Sequence, residues 1–420
     1  MSLKETLAGL LSQHGVPGAA VGVIDPDGST RIVTAGRRNN ARPVDDKTVF
    51  AAASLTKPVF AAGVMALVDA GVLDLDRPLS EYGTEPDLPD DQRAASITAR
   101  MVLSHTTGFP NWRDDKPLFL RWPPGARWGY SGEGYAYLQR VVEHVTGITL
   151  DRFLAEAVLG PLGMTQSSLR WEDVNDPQIA VGHTVTQQAR PRFRPPREKA
   201  AAGGLFTTAP DYLRFLTHSL THEVRSFEPQ ARITEALAWG LGWGIEESTD
   251  GRAIWQWGND AGYKNFVMGR PAERTGVVVF TNGDGGAAVH AEVVRQLIPG
   301  PHPSLERQHA PAWNTALARR PVDLKARRDE PAVRSVLKIL TGEGPEEEVD
   351  RIADRHGTPD TWLLGSVVGK AWEGIGYPAG TPVACLGLAR SGHLEAEITA
   401  LAVVPEWRRQ GFGRSLIFGA

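Results

Sequence analysis

The hydrophobic pattern along the first 300 residues alternates between helix-like and strand-like periods. Residues 3–14 have the spacing of a short amphipathic helix, and two β-rich runs follow in residues 18–39, separated by an Asp-Pro-Asp-Gly turn. This arrangement predicts a β-hairpin. From about residue 60 to residue 200 the period is mostly helical and is interrupted by loops that contain Gly and Pro.

Strand character returns towards the end of this segment. Three β-rich runs separated by turns finish with GVVVFTN (276–282), and the helical run AVHAEVVRQLI follows them. Strands at both ends with helices between them predict a mixed α/β (α+β) fold. We expect one antiparallel sheet built from both ends of the segment, flanked by helices and carrying a helical subdomain, in a first domain over residues 1–300.

The remaining part of the chain differs in composition. A Pro-rich stretch without a clear period begins near residue 301 and predicts a linker over residues 301–328. A small α+β segment over residues 329–420 follows the linker. With 420 residues, the chain is long enough for two such domains.

Composition and charge exclude several classes of function. The formal net charge is −4, so the chain has no general attraction to nucleic acid or to an anionic membrane, and the basic run at 189–199 is interpreted as a solvated loop. Cys385 is the sole cysteine, which excludes a disulfide framework, and we expect no metal because no His, Asp or Glu cluster has metal-ligand spacing. The chain has neither a signal-peptide pattern nor an apolar span of 18 residues, so we expect a cytoplasmic protein.

The stretch AAASLTKPVFAAGVMALVDAG, which begins at Ala51, carries candidate chemistry. The run over residues 59–70 is apolar nearly all the way round, as in a buried helix, yet Ser54 and Lys57 stand at its start. Residues three apart share a helix face, so Ser54 Oγ and the Lys57 amine can meet. Burial and the helix N-terminus both lower the pKa of a lysine, so that a neutral Lys57 can accept the serine proton. The alternative is a helix cap beside a lysine whose amine reaches solvent.

Two further motifs follow this pair along the chain. Tyr130 stands just before a helical run in RWGYSGEGYAYLQRVVEHVTG, and WQWGNDAGYKNFVM precedes a strand. Together with S-x-x-K, this ordered set resembles the class C-like branch of the serine β-lactamase and penicillin-binding-protein superfamily, including its family VIII type of esterase. The resemblance covers residues 3 to 298, and the branch also contains D-amino-acid peptidases and amidases.

The resemblance implies a role for each motif. Ser54 is expected to be the acylated nucleophile, with Lys57 as its base. Tyr130 is expected to relay a proton to the leaving group, its pKa lowered by the Lys57 ammonium. The oxyanion hole is expected to consist of the backbone N–H groups of Ser54 and Asn259.

The chain departs from the family's pattern at positions that bind substrate. Gly132 stands where β-lactam hydrolases prefer an Asn, whose side chain binds the acylamido group of the substrate. The third motif, usually K-T-G or H-x-G, is Gln256-Trp257-Gly258, or Trp257-Gly258-Asn259 when shifted by one residue. Neither alignment offers a cation to a substrate carboxylate. We therefore expect a hydrolase of small neutral esters or amides that needs no cofactor for this reaction.

Other functions are compatible with the same residues. A β-lactamase or D-amino-acid peptidase uses the same acyl-enzyme chemistry, and a non-catalytic sensor is acylated once without turnover. In each case the partner is a small ester, amide or β-lactam. His105, in SHTTG, is interpreted as a buried, hydrogen-bonded residue rather than as a catalytic histidine.

The C-terminal segment resembles the central strands and cofactor loop of a GNAT-type N-acetyltransferase. In PVACLGLARSGHLEAEITALAVVPEWRRQGFGRSLI, strand-like runs lead into a glycine-rich loop. The resemblance implies that backbone N–H groups of this loop, at a helix N-terminus, bind the pyrophosphate of acetyl-CoA. The residues expected at this cofactor site are Arg408, Gln410, Gly411, Phe412, Gly413 and Arg414. Because the chain ends seven residues after Gly413, we expect only the front half of such a domain, with transferase activity confined to a longer product.

Overall fold

The computed structural model describes residues 2–83, 87, 91–113, 117–173, 176–184, 186–191 and 197–305, together with three strands farther along the chain. The chain divides into two compact units, Met1–Leu305 and Glu306–Ala420. The first unit contains every motif of the expected hydrolase.

Helices cover much of the first unit. A capping box starts the first of them, because the Ser2 hydroxyl accepts from Glu5 N while the Glu5 carboxylate accepts from Ser2 N. A 3-10 turn (Ala53–Leu55) leads directly into the second helix, and a π-helical turn (Ala155–Leu159) continues the fifth. The α-helices within the described residues are α1 (Leu3–His14), α2 (Thr56–Asp69), α3 (Ala99–Leu103), α4 (Gly132–Thr146), α5 (Leu150–Leu154), α6 (Ala200–Gly203), α7 (Ala209–His222) and α8 (Gly286–Leu297).

Within the described residues, the strands of the first unit form one large sheet and one short pair. They are β1 (Gly18–Ile24), β2 (Thr30–Gly36), β3 (Phe50–Ala51), β4 (Phe206–Thr207), β5 (Ala231–Arg232), β6 (Leu237–Trp239), β7 (Gly244–Ser248), β8 (Gly251–Asp260), β9 (Tyr263–Arg270) and β10 (Thr275–Thr281). The large sheet is antiparallel with the order β2-β1-β10-β9-β8-β7-β6-β5, and β3 pairs with β4 outside it.

Strands from both ends of the unit meet in this sheet. β1 and β2 form the expected hairpin, and β1 pairs on its other side with β10, from Ala19 opposite Thr281 to Ile24 opposite Gly276. The predicted fold class, an antiparallel sheet built from both ends of the segment with helices inserted, is confirmed.

Both faces of the sheet are covered, so all seven residues of β1 are buried. Val21 belongs to an apolar cluster that includes residues of α1 and α8, whereas Ala20 belongs to a larger cluster with α2, α4 and α7. Alternate residues of a strand point to opposite faces, which explains why neighbouring residues join different clusters. The active-site helix α2 lies in the larger cluster and is buried over most of its length.

The first unit extends a few residues beyond the predicted boundary at residue 300. His302 and Leu305 are both buried in this unit. The His302 ring also lies 2.8 Å from a carboxylate oxygen of Glu246 on β7. The rest of the predicted linker lies outside the described residues.

The described part of the second unit is a three-stranded antiparallel sheet in the order β11-β12-β13. Its strands are β11 (Thr361–Ser366), β12 (Pro382–Arg390) and β13 (Ala396–Val403), and Cys385 belongs to β12. Residues 408–414, expected to bind acetyl-CoA, lie outside the described residues. No helix in the described part of the chain has both the length and the apolar character needed to cross a membrane.

Candidate active site

The turn that carries Ser54 is held in place from several directions. Ala53 adopts a left-handed conformation (φ 51°), which is uncommon for a residue with a Cβ and persists only where the surroundings enforce it. The Thr56 hydroxyl donates to Ala53 O (2.6 Å) and accepts from Leu205 N (3.0 Å), while the Tyr212 hydroxyl donates to Leu55 O (2.8 Å). The serine is thus presented on a fixed turn at the start of α2.

Lys57 lies beside the serine and is only 1% exposed. Its Nζ is 3.0 Å from Ser54 Oγ and donates a hydrogen bond to the carbonyl oxygen of Ala202 (2.6 Å). Burial lowers the pKa of Lys57 from 10.5 to about 7, because the charged form loses its hydration. A neutral amine in contact with the serine hydroxyl is therefore available near neutral pH.

Tyr130 faces the same pair. Its hydroxyl accepts a hydrogen bond from Gln256 Nε2 (3.0 Å), and Lys57 Nζ lies 4.9 Å from the centroid of its ring. The ring of Trp257 stacks against it, with centroids 5.4 Å apart. Burial raises the pKa of Tyr130, and this outweighs the lowering by hydrogen bonds to Ser54 and Gln256. The expectation of a lowered tyrosine pKa is therefore wrong for this state of the site, in which the phenol is fully protonated.

Gln256 lies beneath the reacting groups rather than facing an open cleft. It is 0% exposed, and its Nε2 donates to Tyr130 Oη and to the backbone oxygen of Ser54, both at 3.0 Å. A primary amide has two hydrogens to donate, so neither is left for a substrate. The structure thus makes Gln256 a positioning residue for Tyr130 and Ser54, whereas the sequence suggested that it contacts substrate.

The second half of β8 runs along the nucleophile turn. β7 pairs with β8 only as far as Trp255, whereas β9 pairs with it up to Asp260, so one edge of the last residues of β8 is not covered by β7. A Cβ on Gly258 would lie 2.3 Å from Ala52 O, so only glycine permits this approach. The two predicted oxyanion donors, the N–H groups of Ser54 and Asn259, therefore belong to adjoining segments, and Asn259 is exposed.

Gly132 begins helix α4, two residues after Tyr130. Its N–H donates to both the backbone and the side-chain oxygen of Asn111, each at 3.0 Å. The ring of Trp112 lies directly against its Cα, in the volume that a side chain at position 132 would occupy. The predicted substrate-binding position is thus filled by the indole of Trp112, and this contact with Gly132 was not predicted from the sequence.

His105 is a buried structural residue. Its Nδ1 accepts a hydrogen bond from Ser131 N (3.1 Å), and its ring lies 4.1 Å from that of Tyr130, centroid to centroid. Burial, together with the charge of Lys57, lowers the pKa of His105 well below its usual value. The neutral His105 ring packs against the ring of Tyr130.

Several residues that hold the site were not predicted from the sequence. The Ala202 carbonyl, the Tyr212 hydroxyl and the Asn265 amide, which donates to Ala51 O at 2.9 Å, all hold the segment from Ala51 to Lys57. A backbone carbonyl cannot be recognised from its side chain. Asn265 lies within the motif WQWGNDAGYKNFVM, but its contact with Ala51 O could not be predicted from that motif.

This fold and this Ser–Lys–Tyr constellation are those of one class of serine hydrolases. Residues 3–297 match the profile of the family described as Beta-lactamase, so the chain belongs to that family. Residues 334–418 match the Acetyltransferase (GNAT) family. Both matches confirm the resemblances inferred from the motifs.

Relatives with known names include penicillin-binding proteins and esterases. "Penicillin-binding protein 4" of Amycolatopsis lactamdurans is 28% identical over 338 residues, which cover 70% of this chain and 88% of the relative. "Esterase EstB" of Burkholderia gladioli is 27% identical, with 55% of this chain and 76% of the relative covered. The solved structure of a D-alanine carboxypeptidase AmpC from Burkholderia cenocepacia has a similar fold, with a TM-score of 0.62 at 19% identity over 70% of this chain and 97% of that one. These relatives support a serine hydrolase and leave its substrate open.

Proposed function

We propose that this enzyme hydrolyses small neutral esters or amides through an acyl-enzyme on Ser54. The observation that carries the proposal is the pairing of a buried Lys57, with a pKa of about 7, with a third motif whose Gln256 offers neither a charge nor a free donor. The first feature activates the nucleophile, and the second removes the usual partner of a substrate carboxylate.

The acylation step uses the groups at the site as follows. Neutral Lys57 accepts the proton of Ser54 Oγ as the oxygen attacks the carbonyl carbon, and the carbonyl oxygen becomes an oxyanion near the N–H groups of Ser54 and Asn259. The Lys57 ammonium then faces the rings of Tyr130 and Tyr135, 4.9 and 5.4 Å from Nζ to the centroids. Tyr130, which its raised pKa keeps protonated, donates its proton to the leaving alcohol or amine and regains one from the Lys57 ammonium, so that both groups return to their starting forms.

Deacylation restores the enzyme with a water molecule as the nucleophile. Neutral Lys57 accepts a proton from the water as the water oxygen bonds to the acyl carbon, and the bond to Ser54 Oγ then breaks as Lys57 returns that proton to the serine oxygen. The products are a carboxylic acid and the free serine. Completion of this step distinguishes an enzyme from a sensor that stays acylated.

Two substrates and two variants test the proposal. We expect turnover of p-nitrophenyl butyrate and poor turnover of a carboxylate-bearing cephalosporin. Ser54→Ala should abolish ester turnover, and Lys57→Ala should lower kcat/KM by ~10³-fold or more, because nucleophile and base act as one unit. Intact mass spectrometry should show an acyl group on the wild type and none on Ser54→Ala.

Three outcomes would contradict the proposal. Ester hydrolysis by Ser54→Ala at the wild-type rate would exclude the acyl-enzyme. A kcat/KM for the cephalosporin near 10⁶ M⁻¹s⁻¹, roughly the middle of the range for enzymes, would make the protein a β-lactamase. A stable acyl group without turnover would make it a sensor.

Acetyl-CoA binding by the second unit and the cytoplasmic location of the protein are still predictions. Acetyl-CoA binding is expected from the GNAT match alone, since residues 408–414 lie outside the described residues. Titration of acetyl-CoA into the full chain, with Gly411→Asp as the matched variant, measures it directly. The cytoplasmic location is testable by fractionation.

A further inference from the structure

The ring of Trp112 occupies the space above Gly132. A Cβ built on Gly132 would lie 2.5, 2.6 and 2.8 Å from the ring atoms Cη2, Cζ2 and Cζ3, closer than real Cβ contacts. No side chain fits at position 132 while the indole is there. Position 132 is therefore not an empty space left by a missing side chain, because the ring of Trp112 fills the volume that a side chain there would occupy.

The residues on either side of Trp112 are tied to the start of helix α4. Asn111 accepts from Gly132 N through two oxygens and from Glu133 N through its backbone oxygen (3.1 Å). Arg113 N donates to Glu133 Oε1 (3.3 Å), and its guanidinium lies 3.6 Å from Glu133 Oε2. The indole is thus carried by a segment that cannot move without breaking contacts to α4.

One further contact holds the Trp112 indole, and part of the ring is exposed to solvent. Lys199 Nζ lies 4.9 Å from the centroid of the Trp112 ring and forms an ion pair with Glu133, whose side chain is only 4% exposed (2.9 Å). Trp112 nevertheless stays 39% exposed. A large apolar ring that is anchored, open to solvent and packed against Gly132, two residues after Tyr130, is suited to contact a ligand.

We propose that Trp112 forms the apolar wall of the acyl-group subsite, so that the enzyme selects acyl groups with a hydrocarbon chain over those with an amide near the reacting carbonyl. This inference rests on the proposed function and names the substrate class more narrowly. An amide placed against the indole loses water without gaining a hydrogen-bond partner, whereas a hydrocarbon chain gains by leaving water. The Asn side chain implied for this position in β-lactam hydrolases would have the opposite preference.

Two esters of equal length isolate this effect. Methyl 4-phenylbutanoate and methyl N-benzoylglycinate differ in having CH₂–CH₂ or CO–NH between the phenyl ring and the last methylene. We expect the wild type to prefer the hydrocarbon ester in kcat/KM by about tenfold or more, the scale on which pockets discriminate such groups. Trp112→Ala should remove most of this preference, Trp112→Phe should retain it, and Trp112→Ala with Gly132→Asn should favour the amide ester.

The matched control is Phe119→Ala, which removes an aromatic ring that is 44% exposed in the same connection between α3 and α4. It should leave the ratio of the two kcat/KM values unchanged. If the wild type hydrolyses both esters and Trp112→Ala leaves their ratio within twofold of the wild type, the inference alone is wrong. If neither ester is hydrolysed and no acyl group forms on Ser54, the proposed function is wrong and the inference with it.

Discussion

At the residue scale, the reactivity of the site depends on removing one amine from water. Burial lowers the pKa of Lys57, and the tyrosine rings and the segment that carries the Ala202 carbonyl are among the groups that keep water from the amine. The proposed base therefore depends on packing. A change that admits water next to Lys57 should return its pKa towards 10.5 and leave it protonated at neutral pH.

The pH dependence of ester hydrolysis reports this pKa. Because only the neutral amine accepts the Ser54 proton, kcat/KM should rise as the pH increases through about 7 and then level off. Steady-state assays from pH 5.5 to 9 measure the profile, with Ser54→Ala as the control for spontaneous hydrolysis at each pH. A rate that is flat or falls across this window would show that Lys57 is not the titrating base.

A second prediction concerns the number of donors at position 256. Gln256 uses both amide hydrogens on Tyr130 and Ser54, whereas an ammonium has three hydrogens and a charge. Gln256→Lys can keep both contacts and adds a positive charge beside the reacting groups. We expect it to raise the ratio of kcat/KM for a cephalosporin over p-nitrophenyl butyrate by about tenfold, because a unit charge a few ångströms from a carboxylate contributes ~1 kcal/mol or more even without a direct contact. Trp257→Lys is the control, and an equal or larger shift for it would place the third motif one residue later.

At the element scale, the site depends on how closely strand β8 approaches the start of helix α2. The strand reaches the turn at Ala53–Leu55 only because position 258 lacks a side chain, and Asn265 on β9 ties the preceding residues to the same sheet. The proposed nucleophile and its proposed base lie at the start of the helix, while the strand carries the expected oxyanion donor. The spacing between these two elements therefore sets the geometry of the reaction.

Gly258→Ala tests this spacing. The added methyl would lie 2.3 Å from Ala52 O, so the strand must shift away from the turn, and we expect kcat to fall at least ~10²-fold, as for loss of an oxyanion donor. The matched control is Gly9→Ala, the same chemical change at an exposed position of α1 with nothing within 4 Å. This variant should keep full activity and stabilise the fold by about 0.5–1 kcal/mol. Unaltered kcat in Gly258→Ala would contradict the proposed role of β8.

The sequence was a better guide to elements than to their contacts. Helix α2 and five strands of the large sheet (β1, β2, β8, β9 and β10) follow from periods that a single segment displays, and Ser54 with Lys57 from their spacing on one helix. The short strands β5, β6 and β7 were not predicted. The use of both Gln256 hydrogens, the ring of Trp112 over Gly132 and the raised pKa of Tyr130 depend on where segments distant in sequence meet. Packing between distant segments determines such contacts, and the hydrophobic period of a single segment carries no information about them.

At the scale of the whole molecule, a buried ion pair fixes the last residues of the first unit. The His302 ring lies 2.8 Å from Glu246 Oε1 through Nδ1 and 2.7 Å from Ile298 O through Nε2, and Ser304 N donates to Glu246 Oε2. Both ring nitrogens face acceptors, so the imidazolium is the form that satisfies both. These contacts raise the pKa of His302 although burial opposes them.

This pair should make the stability of the first unit depend on pH. Because the pKa of His302 is raised on folding, its contribution is complete below the unfolded value of about 6.5 and is lost as the pH rises through the folded value. Thermal unfolding of the wild type and of His302→Gln between pH 5.5 and 8.5 measures it. The difference in Tm between the two should shrink as the pH rises, and a difference that is constant or grows would contradict this assignment.

The pairing of β1 with β10 has a consequence during synthesis on the ribosome. β1 is buried on both faces, and its partner strand begins about 250 residues later in the chain, at Thr275. At 5–20 residues per second, the nascent hairpin waits on the order of 10–50 s with one edge unpaired and apolar side chains uncovered. Throughout that interval the emerging chain has an open strand edge that a neighbouring nascent chain can join. The yield of active enzyme should therefore depend on chaperones that cover the emerging N-terminal segment.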